Sequence, residues 1–308
     1  MYNVFIDGSA GTTGLKIFDR LKNRTDISLI TLPEELRKDA GARADAINSS
    51  DVTFLCLPDD AARESVSLIK NDSTIVIDTS TAHRINPDFT YGFAEINGLR
   101  EKLKPAKKIA NPGCHASGFI SLINPLVSAG VLKSSAKLTA YSLTGYTGGG
   151  KKMIAEYEGD NRPIEFDSPR LYGLTQSHKH LPEMAKYSLI ENAPVFMPIV
   201  CDFACGMQVT VPLFGSDLSC SINDIKDIYK SLYTGKVVKY TEDNQGGFLA
   251  SNTLSGRDDM LISVYGNDDR ITLVSRFDNL GKGASGAAVQ NMNIALGLDE
   301  TVGLNLGE

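Results

Sequence analysis

The sequence predicts an α/β chain in two domains: a parallel sheet covered by helices, then an α+β domain whose sheet is mostly antiparallel. Three observations carry that prediction. The first third alternates short apolar runs (YNVFID, ISLITL, VTFLCLP, STIVIDTS) with helical patterns, the order expected of a parallel sheet with helices on both faces. Beyond Val131 the runs KLTAYSLTG, VFMPIVCDF, ACGMQVTVPLF, DMLISVYGN and DRITLVSRFDN are longer, alternate, and follow one another through turns, as antiparallel strands do. The last helical stretch, GASGAAVQNMNIALGL, is led by small side chains that permit close packing, and it is expected to return to the first domain. The expected division is residues 1–113 with 284–308, and residues 114–283.

The elements follow in order. TTGLKIFDRLKN is a helix after the first strand, and DDAARESVSLIKN is another after VTFLCLP. KKIANPGC reads as a strand feeding a turn, and ASGFISLINPLVSAG as a helix stopped at Gly130. GNDD, between two late strands, reads as a hairpin connection. No internal repeat and no low-complexity linker separates the halves.

Composition narrows the function classes. The 308 residues hold 31 Lys and Arg against 37 Asp and Glu, a formal charge of -6 with the two signs interspersed, which argues against a nucleic-acid or anionic-membrane partner. No apolar run reaches the roughly 20 residues of a membrane-spanning helix, and the N-terminus runs straight into a strand pattern, so a cytoplasmic protein is expected. Five scattered cysteines do not form a disulfide framework. Cys56 and Cys220 read as packing residues, and Cys201 with Cys205 has the spacing of half a zinc site without a second ligand pair, so no metal is expected.

Gly8, Gly11 and Gly14 lie in GSAGTTG, directly after a strand and at the head of a helix. Glycine there permits a tight turn, close approach of backbone to a pyrophosphate, and close packing of helix on strand, so the first domain reads as a Rossmann-like dinucleotide-binding domain, with Ser9, Thr12 and Thr13 on the same loop. The competing reading is a tight βα turn that binds nothing. ISLITLP offers no acid at its end for a ribose hydroxyl pair, Glu34 comes late, and Arg37 with Lys38 follow; this favours a 2′-phosphate and hence NADP(H).

Cys114 stands in ANPGCHASGF, after an apolar strand and a Pro-Gly turn, where a helix begins. Unpaired N–H groups at a helix start favour thiolate and can hold an oxyanion, so Cys114 is the candidate nucleophile rather than an inert buried cysteine. Of four histidines, His178 and His180 fall in SHKHLPEM, where alternation in an extended segment would place both rings on one side, followed by Glu183. His180 is the candidate acid-base, supported by His178 and Glu183; the alternative is a polar turn capping a helix near Pro182. His115 ranks behind them, because adjacent residues at a helix start point apart. The glycine-rich loop TGYTGGGKK, with Gly149, can wrap an anion or simply connect, and Arg84 and Arg257 could each grip a substrate carboxylate or form a surface ion pair.

In that order, GSAGTTG, VIDTSTAHR, YGFAEIN, NPGCHASG, TGYTGGGKK, HKHLPEM and DNLGKGASGAAVQNMN resemble the N-acetyl-γ-glutamyl-phosphate reductases, in the shorter of that family's two forms, within the semialdehyde dehydrogenase superfamily. The resemblance spans nearly the whole chain. It implies reduction of N-acetyl-glutamyl 5-phosphate to the 5-semialdehyde with NADPH and release of phosphate in arginine biosynthesis, through a thioester on Cys114. It also implies a catalytic and dimerisation role for the second domain, and a homodimer or homotetramer. By the same resemblance HKH matches the family's histidine motif, Gly8 to Gly14 the dinucleotide loop, and KGASGAAVQ, with Gly283 and Gln290, the helix against the nicotinamide. Ala94 stands in YGFAE where the family has proline. The rival readings are a reductase of another acyl phosphate, such as an aspartate-semialdehyde dehydrogenase, a catalytically silent dinucleotide-binding regulator, and a cofactor-free cysteine hydrolase.

Overall fold

The computed structural model describes residues 1–96 and 98–307. It divides into two compact units: Met1–Ala94, Gly98–Gly113 and Ala284–Leu304 form the first, and Cys114–Gly283 with residues 95–97 and 305–308 the second.

The first unit runs β1 (Tyr2–Asp7), α1 (Thr12–Leu21), β2 (Ile27–Ile30), α2 (Ala40–Ser49), β3 (Val52–Leu55), α3 (Asp59–Ser67), β4 (Ile75–Asp78), β5 (Thr90–Tyr91), α4 (Leu99–Leu103) and β6 (Lys108–Ala110). Its sheet has the order β2-β1-β3-β4-β6-β5, and every pairing is parallel. Strand alternation explains why both faces are covered. Val4, Ile6, Phe54 and Ile77 pack with Ile17 and Leu21 of α1 and with Val289 and Met292 of the last helix, Gly286–Ala295, which belongs to this unit. On the opposite face Phe5 packs with Ala46 and Ile47 of α2, and Leu55 and Val76 pack with Ala62 of α3. The chain goes from β1 to one neighbour and then crosses to the other, so the order reverses at β1/β3. In open α/β sheets ligands bind at the carboxyl ends of the strands at such a reversal.

The second unit runs α5 (Cys114–Ser128), β7 (Thr139–Gly145), α6 (Gly150–Glu158), β8 (Arg170–Leu171), α7 (Leu181–Ser188), β9 (Val195–Cys201), β10 (Met207–Phe214), α8 (Ile222–Leu232), β11 (Val238–Tyr240), β12 (Met260–Gly266) and β13 (Arg270–Phe277); the last helix is α9. Its sheet, β11-β12-β13-β10-β7-β9-β8, is antiparallel except at β11/β12 and β7/β9. Helix α5 is buried along nearly its whole length, and it lies so close to β10 that a Cβ on Gly118 would collide with Val209. Pro125 interrupts α5 and frees the carbonyl of Ser121, four residues earlier. The Tyr233 hydroxyl donates to that carbonyl at 2.6 Å, and the Tyr229 hydroxyl donates to the Leu122 carbonyl beside it. The freed carbonyl is therefore satisfied within the core. The outer side of the sheet, carrying Tyr141 and Leu171, is partly open: these two are 44% and 48% exposed.

Candidate active site

In the first unit the chemistry starts from the glycine turn. Gly8 follows β1 with φ +88°, a conformation that favours glycine, and a Cβ there would collide with the Cys56 carbonyl at the end of β3. A Cβ on Gly14 would meet the Gly8 carbonyl at 2.5 Å, so α1 rides directly on the turn. Gly11 caps α1 without a side-chain hydrogen bond, and no acid lies in the first turn, so the free first-turn amides keep their positive end at the strand-order reversal. That donor set fits a dinucleotide pyrophosphate. Ser9, Thr12 and Thr13 lie on the same turn. Asp7, the last residue of β1, is buried and grips Arg43 at 3.1 Å and the Ser65 hydroxyl at 2.8 Å, which fixes the strand end from α2 and α3. Arg37 lies on an exposed turn after β2.

The turn ahead of Cys114 is braced within the same unit. Asn111 donates to the Ala284 carbonyl at 3.0 Å and accepts from Asn291 at 3.0 Å. Arg84 directs Nε to the Asn111 carbonyl and Nη2 to the Thr79 carbonyl, both at 3.0 Å, so it holds the turn rather than presenting an open fork. Gln290 is buried and donates to Glu300 at 2.8 Å.

The second unit begins with the cysteine. Cys114 is the first residue of α5 and is half-buried. Gly283 lies against it: a Cβ there would come 2.9 Å from Cys114 Cβ. Gly283 sits in the π-helical turn Gly281–Ser285 that leads into α9, a local irregularity common at functional sites. Its neighbour Lys282 is fully buried and pairs with Glu95 through both carboxylate oxygens at 2.9 Å.

Three histidines gather in this unit. The rings of His178 and His180 are 4.8 Å apart, and His115 lies 5.5 Å from the first and 5.6 Å from the second. His115 therefore joins the cluster. The expected extended segment is instead a turn, with His180 in helical backbone as the residue capping α7, and the turn rather than alternation brings the two rings together. The His180 backbone N–H donates to His178 Nδ1 at 3.2 Å, so neutral His178 carries its proton on Nε2. His115 Nδ1 contacts the Ser142 hydroxyl at 2.6 Å and its Nε2 the Tyr172 hydroxyl at 2.7 Å. Burial, with a smaller contribution from His178, pushes the His115 imidazole down to about 3, so it stays neutral. Burial, and then the charge of Cys114, pushes the Tyr172 phenol up, so it stays protonated.

Glu183 is buried in the first turn of α7; burial and then its charge raise the Tyr187 phenol to about 12. Arg257 lies away from this cluster's hydrogen bonds: it forks onto Asp259 at 2.8 and 2.5 Å and reaches the Leu306 carbonyl at 2.8 Å. Gly149 packs on Met153 at the head of α6. Cys56 is partly buried, and desolvation pushes its thiol up to about 12, as a packing cysteine should be. No group of three or more His, Cys, Asp or Glu able to hold a metal occurs among the described residues, and no helix among them is long and apolar enough to cross a membrane. Sequence reasoning missed Ser142 and Tyr172. The only signal for Tyr172 was an aromatic six residues ahead of His178.

Two family models match the chain, and together they define its class. One is described as the semialdehyde dehydrogenase NAD binding domain and covers residues 3–106; the other, the semialdehyde dehydrogenase dimerisation domain, covers residues 114–279. Solved structures of aspartate semialdehyde dehydrogenase II from Vibrio cholerae and aspartate semialdehyde dehydrogenase from Francisella tularensis share the fold. Each has a TM-score of 0.70 at 16% identity and covers 96% of this chain, and 98% and 99% of the respective structures are matched. N-acetyl-gamma-glutamyl-phosphate reductase of Sinorhizobium medicae is 46% identical over 305 residues, covering 95% of this chain and 98% of its own. That of Brucella ovis is 45% identical, covering 96% and 98%. The chain belongs to the N-acetyl-gamma-glutamyl-phosphate reductase family of the semialdehyde dehydrogenases.

Proposed function

We propose that this chain reduces N-acetyl-glutamyl 5-phosphate to N-acetyl-glutamate 5-semialdehyde with NADPH, releasing phosphate, as a step of arginine biosynthesis. The observation that carries the reading is Cys114 at the first position of α5, half-buried, in the unit where His115, His178 and His180 cluster. The names of relatives at 45–46% identity support the substrate. Residues 1–113 with 284–308 form the dinucleotide-binding domain, with Gly8, Ser9, Gly11, Thr12, Thr13 and Gly14 around the pyrophosphate and Arg37 toward the 2′-phosphate. Residues 114–283 form the catalytic and dimerisation domain.

NADPH, when bound, supplies the hydride that takes the thioester to the aldehyde. The protein does the rest. Backbone amides at the start of α5 favour the Cys114 thiolate and stabilise the oxyanion formed when sulfur attacks the acyl carbonyl. Phosphate leaves, and a thioester on Cys114 remains. His178 Nδ1 already accepts a backbone N–H, so protonating it would break that bond. This leaves His180 as the group that exchanges the proton when the aldehyde is released and thiolate regenerated. Glu183 supports α7 from its first turn, and Gly283 and Gln290, in the turn ahead of α9 and on α9, are cofactor-binding residues. Arg84 braces the turn ahead of Cys114 through the Asn111 and Thr79 carbonyls, and Arg257 braces its own unit through Asp259.

A second copy docks on the open outer face of the sheet of the second unit, where Tyr141 and Leu171 are exposed, giving a homodimer or a homotetramer built from it. The net charge of -6 disfavours nucleic acid and anionic membrane as partners, and the setting is the cytoplasm. The test is the reverse assay: oxidation of N-acetyl-glutamate semialdehyde with NADP and phosphate, run beside aspartate semialdehyde. Preferred turnover of the acetylated substrate is expected. Preference for aspartate semialdehyde would overturn the substrate, and no turnover of either would overturn the enzyme.

A further inference from the structure

Ser142 is fully buried on β7, and among the described residues its hydroxyl makes a single hydrogen bond, to His115 Nδ1 at 2.6 Å. On its other side, His115 Nε2 meets the Tyr172 hydroxyl at 2.7 Å. A neutral imidazole has one donor and one acceptor nitrogen, so the chain Ser142–His115–Tyr172 can run in only two directions. If Nδ1 carried the proton, it would donate to Ser142, and the buried Ser142 proton would be left without an acceptor, which is costly. In the opposite direction both buried side chains, Ser142 and His115, are satisfied. Ser142 donates to Nδ1, Nε2–H donates to the Tyr172 oxygen, and the Tyr172 proton remains free.

We propose that His115 is a positioning residue which, anchored by Ser142, turns the Tyr172 hydroxyl into a donor aimed at the reacting carbonyl oxygen beside Cys114. Tyr172 is only partly buried, and its hydroxyl bonds the ring of His115, the residue that follows Cys114 at the head of α5, so it can meet substrate there. Because His115 stays neutral, the direction of the chain does not reverse in the working range. The inference rests on the thioester chemistry proposed above, to which it adds an oxyanion donor besides the α5 amides.

The test is a double-mutant cycle read as kcat and KM in the reductive assay. Tyr172→Phe is expected to lower kcat by about 10²-fold, the typical effect of losing one oxyanion donor, with the KM for NADPH unchanged. His115→Leu should lower kcat comparably in the wild type, yet by less than about twofold in the Tyr172→Phe background, because residues acting as one unit are non-additive. A merely structural His115 would give multiplying losses, and these, or a normal kcat in Tyr172→Phe, would overturn the inference. Should His115→Leu fail to fold, Ser142→Ala replaces it, again with a loss expected only while Tyr172 is present. An equal fractional loss in both backgrounds overturns the inference. Wild-type protein without turnover would instead sink the proposed function, and this inference with it.

Discussion

Replacing Gly283 by alanine should displace the nucleophile without dismantling the fold. Gly283 does not have a positive φ, so the added methyl brings contact rather than backbone strain. It would meet Cys114 Cβ at 2.9 Å, the Asp278 carbonyl at 3.0 Å and Phe277 Cε2 at 3.3 Å. The first of these falls about 0.6 Å or more short of ordinary carbon contact near 3.5–4.0 Å. The Asp278 carbonyl cannot retreat easily, because it accepts the N–H groups of Gly281 and Gly283 at 3.1 and 3.0 Å. The start of α5 must therefore give way. Overpacking of this kind costs about 1–3 kcal/mol. Misplacing a reacting group by about 1 Å costs roughly 10²-fold in rate. Urea unfolding and steady-state kinetics on Gly283→Ala should show a modest stability loss with a kcat loss near that size. Stability and kcat both within about twofold of wild type would refute the close packing on which the reasoning depends.

Other predictions follow from the first unit and from the histidine cluster. Gly8→Ala should abolish tight NADPH binding, measured by fluorescence titration, because the residue needs φ +88° and its Cβ would strike the Cys56 carbonyl; unchanged affinity would contradict the cradle. Arg43→Met should lose about 3–5 kcal/mol in denaturant unfolding, because it leaves Asp7 buried with only the Ser65 hydroxyl, and a loss under about 1 kcal/mol would show that the pair is dispensable. His115 has a folded pKa near 3 against an ordinary 6.5, so below 6.5 the unfolded chain takes up a proton that the folded chain refuses. Stability should fall as pH drops from 6.5 toward about 3, by up to about 1.4 kcal/mol per unit from this group, and His115→Gln should flatten the slope in that window. An identical slope in that variant would remove His115 as its source.

Much of the fold is written locally. β1, β3 and β4 show in the sequence as apolar runs, and the turn at Gly8 shows because strand, glycines and helix come together within one short stretch. The parallel pairing of β7 with β9 is not written there: alternation marks a half-buried strand but does not give its direction, which depends on α6 and α7 carrying the chain back. Cys114 is legible because a helix start is a local event. Tyr172 is not, because its contact with His115 spans 57 residues and depends on where β8 pairs. The i, i+1 rule points His115 away from Cys114 but does not exclude it from the site, since the other histidines come to it from the turn ahead of α7. Arg84 and Arg257 show the opposite difficulty. A sequence cannot distinguish a guanidinium left open for substrate from one committed to backbone carbonyls and Asp259.

The central claim is a covalent intermediate on Cys114, and a phosphate-free reverse reaction tests it most directly. With N-acetyl-glutamate semialdehyde and NADP but no phosphate, the acyl group has no acceptor beyond water. The account predicts a rapid burst of one NADPH per chain, followed by slow turnover, and an acyl adduct on the Cys114 peptide by mass spectrometry that is absent in Cys114→Ser. Steady NADPH formation without a burst, on an enzyme whose Cys114 remains unmodified throughout, would contradict it.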